Sequence, residues 1–264
     1  MQDRIAVVLA AGKGTRMKSD LPKVLVPACG RPIIQYVLDA LQRTGHSRVV
    51  VVIGYRGDDV RQALAARQQP DFQLQFVEQR EQRGTGHAVL VCREALDSFD
   101  GPVTVLTGDS PMVQDQSLRQ LLQAFEQQQA ACLLGTLHHP RPTGLGRIVR
   151  DPQSGEFLGI VEEKDASEAQ RAITEVNMST YVFDNRDLFW ALDRVGVQNR
   201  QAEMYLTDCP GILKQAGKRV AALPVLSACE ALSINTVEDL QHVETQMRKM
   251  GYNSDSSRPP FRQH

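Results

Sequence analysis

The sequence predicts an α/β fold of the Rossmann-like, doubly wound kind: a mainly parallel sheet between two helical layers, with a small β-rich flap. Three observations carry this prediction. Short β-branched apolar runs alternate with amphipathic periods through the first 140 residues. The runs at 5–9, 49–53 and 103–106 are nearly continuous in apolar residues, with Thr104 the one polar position, the pattern of strands buried on both faces. After Pro140 the rhythm changes to strands joined by short polar turns.

The elements follow in order. Strands are expected at 5–9, 49–53, 74–77, 103–106 and 132–137. Between them, apolar residues at three- and four-residue spacing predict helices at 33–41, 60–66, 88–96 and 118–125. Strands at 147–150, 157–163 and 173–183 come next, with a turn at Pro152-Gln-Ser-Gly155. Helical periods return at 186–192, 206–215 and 237–250, with a strand at 220–223. We expect one domain over 1–250, a β-rich insertion at about 140–183, and a polar, disordered tail at 251–264. No internal repeat is present.

Composition narrows the function. The 264 residues are 42% hydrophobic and 23% charged, with 19 Gly and 13 Pro, unlike collagen, disordered chains or coiled coils. Thirty basic against 31 acidic residues give a formal net charge of -1, so no global field exists to hold nucleic acid or an anionic membrane. An anionic ligand must then meet a local cluster. The five cysteines (Cys29, Cys92, Cys132, Cys209, Cys229) are widely spaced and form no C-x-x-C pair, which argues against a disulfide framework and a zinc site. With no signal-peptide pattern and no run near the ~18 apolar residues of a spanning helix, a cytoplasmic enzyme is expected.

The first strand runs into Leu9-Ala10-Ala11-Gly12-Lys13-Gly14-Thr15-Arg16-Met17, followed by Leu21-Pro22-Lys23-Val24-Leu25. Small residues and two glycines past a buried strand let backbone N–H groups approach a polyphosphate, while Lys13, Arg16 and Lys23 supply neutralising charge. Gly14 stands where a P-loop has Ser or Thr after its lysine, and Met17 where the dinucleotide fingerprint has its third glycine. A lone G-x-G is more often a plain turn; the whole string with Pro22-Lys23 favours a triphosphate cradle. Asp109 follows the strand at 103–106, so it sits at the carboxyl end of a parallel strand, where open α/β sheets place ligands. A hard carboxylate there suits Mg²⁺, although a strand-ending turn aspartate before Pro111 is the plain alternative.

This string resembles the start of the sugar-nucleotide pyrophosphorylases, particularly the uridylyltransferase domain of bifunctional N-acetylglucosamine-1-phosphate uridylyltransferase/glucosamine-1-phosphate acetyltransferase. The resemblance continues through Glu78-Gln79, Gly84-Thr85-Gly86-His87-Ala88, Thr107-Gly108-Asp109-Ser110-Pro111, Thr143–Ile148, Gly159–Glu162, Glu203–Asp208 and Ile234-Asn235, in order, over about residues 4–245. It implies the nucleotide-diphospho-sugar transferase type of fold and nucleotidyl transfer from UTP to a sugar-1-phosphate. By resemblance, Leu9–Gly14, Lys23, Gln79, Gly84 and Thr85 bind the nucleotide, with Gln79 and the Gly84-Thr85 turn reading the base. Arg16, Lys23 and Asp109 carry the catalysis, and Asp109 and Asn235 share Mg²⁺. Gly108, Gly146, Glu162 and Asn177 hold the sugar phosphate.

Each of these has a plainer reading. Gln79 can be one glutamine of a polar loop, Glu162 a solvated charge, and Asn235 an N-cap three residues before Glu238, unless Thr236 takes the cap and releases Asn235. The family's usual Asn-Thr-Gly appears as Asn177-Met178-Ser179, and Thr107 stands where an aromatic residue is common; both flank the expected sugar pocket. His138-His139 lacks a third metal ligand and reads as loop. Trp190 reads as core.

The implied reaction needs no activated side-chain nucleophile, because a sugar phosphate arrives already anionic. N-acetylglucosamine-1-phosphate is the expected acceptor. The alternatives are the same chemistry on another sugar or nucleotide, such as glucose-1-phosphate, and a non-catalytic sugar-nucleotide binding protein. No hexapeptide repeat is present, so acetyl transfer is not expected. The sequence leaves the oligomeric state open.

Overall fold

The computed structural model describes residues 4–17 and 19–252. Its elements are β1 (Ile5–Ala10), β2 (Pro27–Ala28), β3 (Arg31–Pro32), α1 (Ile33–Arg43), β4 (Arg48–Ile53), α2 (Gly57–Leu64) and β5 (Gln73–Glu78). There follow α3 (Thr85–Leu90), α4 (Arg93–Leu96), β6 (Pro102–Thr107), α5 (Asp115–Gln128), β7 (Cys132–His138), β8 (Gly146–Arg150) and β9 (Phe157–Val161). The rest are α6 (Glu168–Arg171), β10 (Glu175–Asp184), α7 (Asn185–Leu192), α8 (Asp208–Gln215), β11 (Val220–Leu223) and α9 (Val237–Lys249). Most of the expected tail, from residue 253, lies outside the described residues.

The main sheet has the order β11-β7-β10-β6-β1-β4-β5. Strands β6, β1, β4 and β5 are parallel neighbours, as are β11 and β7, whereas β10 runs antiparallel between β6 and β7. This is the mainly parallel, doubly wound architecture expected. Side-chain alternation along each buried strand feeds two separate cores. In β1, Ile5 and Val7 pack with α3, α7 and α8, while Ala6, Val8 and Ala10 pack with α1 and α2.

Two local differences from the sequence reading have physical causes. The helix expected over 88–96 is divided into α3 and α4, because the Cys92 N–H bonds the Val89 carbonyl and the Cys92 thiol takes that of Ala88. The β-rich 140–183 stretch also divides. Strands β8 and β9 form an antiparallel extension that pairs with the start of β10, while the rest of β10 lies within the main sheet.

From β1 the chain winds outward through β4 to β5, then crosses to β6 on the other side of β1. The carboxyl ends of β1 and β6 are therefore the switch point, where neighbouring loops part and leave a crevice. The start of antiparallel β10 reaches the same edge, since Tyr181 is opposite Val105 and Phe183 opposite Val103. The motifs expected to meet nucleotide and those expected to meet sugar are thus delivered to one rim of the sheet.

Candidate active site

A cleft of about 410 Å³ opens at the switch point. The loop after β1 forms its floor: Leu9, Ala10, Ala11, Gly12, Gly14 and Arg16 line it, together with Lys23, Gln79, Gly84, Thr85, Thr107 and Asp109. Local packing explains the loop's course. Met17, at the position that excluded the dinucleotide fingerprint, is buried against Val26, Ile33, Met112, Ile234 and Met247 and pins the loop down. Gly14 has a φ of +63°, and a Cβ there would lie 2.5 Å from the Cβ of Lys23. Only glycine allows Lys23 this close approach to the loop.

Charge converges above this floor. Lys23 Nζ donates to Asp109 Oδ2 and, at 2.7 Å, to Asn235 Oδ1; Arg16 Nη2 donates to the same Asn235 oxygen at 3.2 Å. Four residues separated by up to 219 positions thus form one cluster. Asn235 arrives through Ile234, fully buried, whose N–H points to the Asp109 carbonyl. Thr236 takes the N-cap of α9, accepting from the Asp239 N–H at 3.1 Å. The Asp239 carboxylate accepts from the backbone N–H groups of both Asn235 and Thr236. The capping box is therefore Thr236 with Asp239, and the Asn235 side chain is left for the cleft.

Gln79, expected to read the base, is 5% exposed, and its amide N–H₂ donates to the Gly84 carbonyl at 3.1 Å and faces His87 Nδ1 at 3.1 Å. Gly84 has a φ of +105°, and a Cβ there would collide with the Met204 carbonyl. Thr85 Oγ1 accepts from the Leu206 N–H, so residues 203–206 are bound to this turn. Lys13 lies apart from these groups: its ammonium sits over the Tyr55 ring, 5.2 Å from the centroid, outside the cleft lining.

The residues expected to hold a sugar phosphate gather separately along the same rim. A Cβ on Gly146 would stand 3.6 Å from both Asn177 Cβ and Glu162 Oε2. Glu162 Oε1 accepts from the Thr207 hydroxyl at 2.9 Å, and burial pushes its carboxyl above the usual range against that bond. Asp208 is raised as well, by burial first and by nearby Asp165 second. Asn177 donates to the Tyr181 hydroxyl at 2.7 Å, and Ser179, at φ +53°, sits in the bulge that breaks the β10–β7 register. Gly108 directly follows β6, its N–H on the Leu9 carbonyl at 2.9 Å.

Sequence reasoning passed over Thr207, Gln82 and Asp239. Thr207 lies inside the Glu203–Asp208 motif, and Asp239 stands three residues after Thr236, so both left a signal. Gln82, which lines the cleft and donates to the Ala11 carbonyl, left none in its polar loop. His138 ends β7 rather than lying in a loop and faces the Thr174 hydroxyl, His139 Nδ1 faces the Arg141 carbonyl, and Trp190 packs against the core with Arg194 over its ring. A larger cleft of about 530 Å³ lies at the amino ends of β6 and β7 and contains no motif residue.

Residues 6–174 match the MobA-like NTP transferase domain. The chain belongs to this family. As a MobA-like NTP transferase it also has curated relatives named Bifunctional protein GlmU. The one from Shouchella clausii is 41% identical over 249 residues, covering 94% of this chain and 53% of its own. That from Brevibacillus brevis is 44% identical over 244 residues, covering 92% and 51%. The chain thus spans about half the length of the curated relatives it matches, and they bear out the resemblance read from its motifs. A solved UDP-glucose pyrophosphorylase complexed with UDP-glucose superposes with a TM-score of 0.75 at 19% identity, over 94% of this chain and 99% of that one, sharing the fold. The transferase is a nucleotidyltransferase, and no helix among its described residues is long and apolar enough to cross a membrane.

Proposed function

We propose that residues 1–250 form a unit that transfers the uridylyl group of UTP to N-acetylglucosamine-1-phosphate, giving UDP-N-acetylglucosamine and pyrophosphate. One observation carries this reading: Arg16, Lys23, Asp109 and Asn235, far apart in sequence, meet in one cluster above a glycine loop at the switch point. The strong similarity to the GlmU relatives supports the substrate pair.

An oxygen of the sugar phosphate attacks the α-phosphorus, and the bond from that phosphorus to the oxygen bridging to the β-phosphorus breaks as pyrophosphate leaves. The nucleophile is already an anion, so the chain supplies position and charge. The Ala11–Gly14 backbone receives the triphosphate. Arg16 and Lys23 neutralise charge that grows on the α-phosphate and the leaving group. Gln79 and the Gly84-Thr85 turn receive uracil, while Glu162 and Asn177 orient the sugar hydroxyls and amide beside Gly146.

Asp109 and Asn235 would hold Mg²⁺. The donor set fits: a carboxylate and an amide oxygen already converge on one cationic atom, Lys23 Nζ, and magnesium favours one or two protein oxygens plus phosphates. Once bound, the ion supplies Lewis-acid neutralisation of the phosphates.

Pyrophosphate release tests the reading, with UTP and the other nucleoside triphosphates crossed against N-acetylglucosamine-1-phosphate, glucose-1-phosphate and related sugar phosphates. Release fastest for UTP with N-acetylglucosamine-1-phosphate is expected. Another best sugar would trace to Thr107 and to the Asn177-Met178-Ser179 bulge. Nucleotide binding without release in any combination would overturn the enzymatic reading.

A further inference from the structure

Two basic side chains at the triphosphate loop, Arg16 and Lys23, are both tied to the oxygens assigned to the metal. Asn235 Oδ1 has two lone pairs, and Lys23 and Arg16 take both. Lys23 also donates to Asp109 Oδ2, so its ammonium lies at the meeting point of the two oxygens. The Lys23 and Asp109 side chains are only 12% and 23% exposed, so solvent screens this contact weakly. Gly14 sets the Lys23 stem against the loop, which leaves its ammonium within reach of either the carboxylate or a phosphate seated on that loop.

We propose that Lys23 is an internal counter-cation of the metal position, held by Asp109 and Asn235 until a divalent ion enters and then released toward the triphosphate. This rests on the metal placement given above and adds to it a competition. One point between two oxygens cannot hold both an ammonium and a dication. Entry of the ion must therefore break the Lys23 contacts, and the freed positive charge becomes available to the phosphates. Binding of metal and nucleotide is then positively coupled, and by linkage each tightens the other. The same side chain weakens metal binding alone and strengthens it with nucleotide present.

Mn²⁺ alone, titrated without nucleotide and followed by the electron paramagnetic resonance of the free ion, tests this on the parent chain, Lys23→Met and Asp109→Asn. Methionine keeps much of the lysine stem and removes the charge. Lys23→Met should bind Mn²⁺ about tenfold more tightly than the parent, and Asp109→Asn at least about tenfold more weakly. Unchanged or weaker binding by Lys23→Met, with binding still dependent on Asp109, would overturn the competition and leave the metal site standing. Indifference to Asp109→Asn would remove the metal site and the competition together. A second measurement needs no charge-loss variant: in parent protein carrying ¹³C-labelled lysine, the Lys23 Cε resonance, assigned through Lys23→Arg, should shift as Mg²⁺ is added and saturate with it. A Lys23 resonance that ignores Mg²⁺ also refutes the proposal.

Discussion

The proposed nucleotide side and the proposed sugar side of the rim hold their polar groups in opposite ways. At the nucleotide side, Arg16, Lys23, Asp109 and Asn235 are linked by charged contacts that a ligand's charges can replace. On the proposed sugar side, Glu162, just past β9, is fixed by Thr207 and Asn177, in β10, by Tyr181, beside strands secured by Arg147–Glu163 and Arg150–Glu175 ion pairs. One side is built to exchange partners and the other to keep them. That division suits the proposed chemistry, because charge moves during phosphoryl transfer while a sugar must only be recognised.

The largest effects should come from the exchangeable side. Asp109→Asn and Lys23→Ala should each lower kcat for pyrophosphate release by about two orders of magnitude or more, since each deletes a preorganised charge. Turnover near that of the parent in both would break the comparison.

Next in size is a stability effect from the locked side. The Arg150 guanidinium makes two bonds to Glu175, at 2.6 and 2.7 Å, and the Glu175 side chain is 7% exposed. Arg150→Ala strands that carboxylate with only the Thr136 hydroxyl, and should cost about 2–3 kcal/mol by chemical denaturation, below a fully buried pair because Arg150 is itself part-exposed. A loss under 0.5 kcal/mol would show that the flap is not locked as described.

Thr207→Val and Glu162→Gln should raise KM for the sugar phosphate about tenfold with kcat little changed, the signature of lost ground-state binding. The pH profile sharpens this. Burial raises the Glu162 pKa, so as pH falls this carboxylate takes up a proton earlier than an ordinary glutamate would. KM should therefore rise on the acid side at a pH above the usual carboxylate range, and Glu162→Gln should lack that limb.

The smallest effects separate stability from function. Gln129 closes α5 in the left-handed region at φ +48°, so Gln129→Gly should add about 0.5–1 kcal/mol and leave both KM values alone. Lys164→Ala, on the exposed turn after Glu162, should match the parent in every assay.

The glycine loop and its cations were legible as a local cluster because they lie within a few residues of one buried strand, so spacing alone put glycines and cations together. Asp109 was legible for the same reason, as the residue just past β6. Asn235 was less so: whether its side chain was free of the α9 cap depended on Thr236, and only the Thr236–Asp239 bonds decided that. Lys13 carried the same charge signal as Lys23 but stands over Tyr55, since the loop's turn directs the two side chains differently. Thr207 gave no sign of its partner, because Glu162 lies 45 residues away.

The sequence by itself determined the alternating elements, the two-faced burial of β1, β4 and β6, and the chemistry available at the ends of those strands. These follow from local periodicity and from backbone freedom at glycine, which any stretch of chain expresses without knowing its neighbours. Tertiary structure alone decided that β10 turns back antiparallel between β6 and β7, bringing Asn177 to the same rim as Asp109. It also decided that Lys23 rests between the two oxygens assigned to the metal. Such outcomes depend on which strand wins a place in the sheet and which charges then lie within bonding distance, and both are settled by packing across the whole molecule.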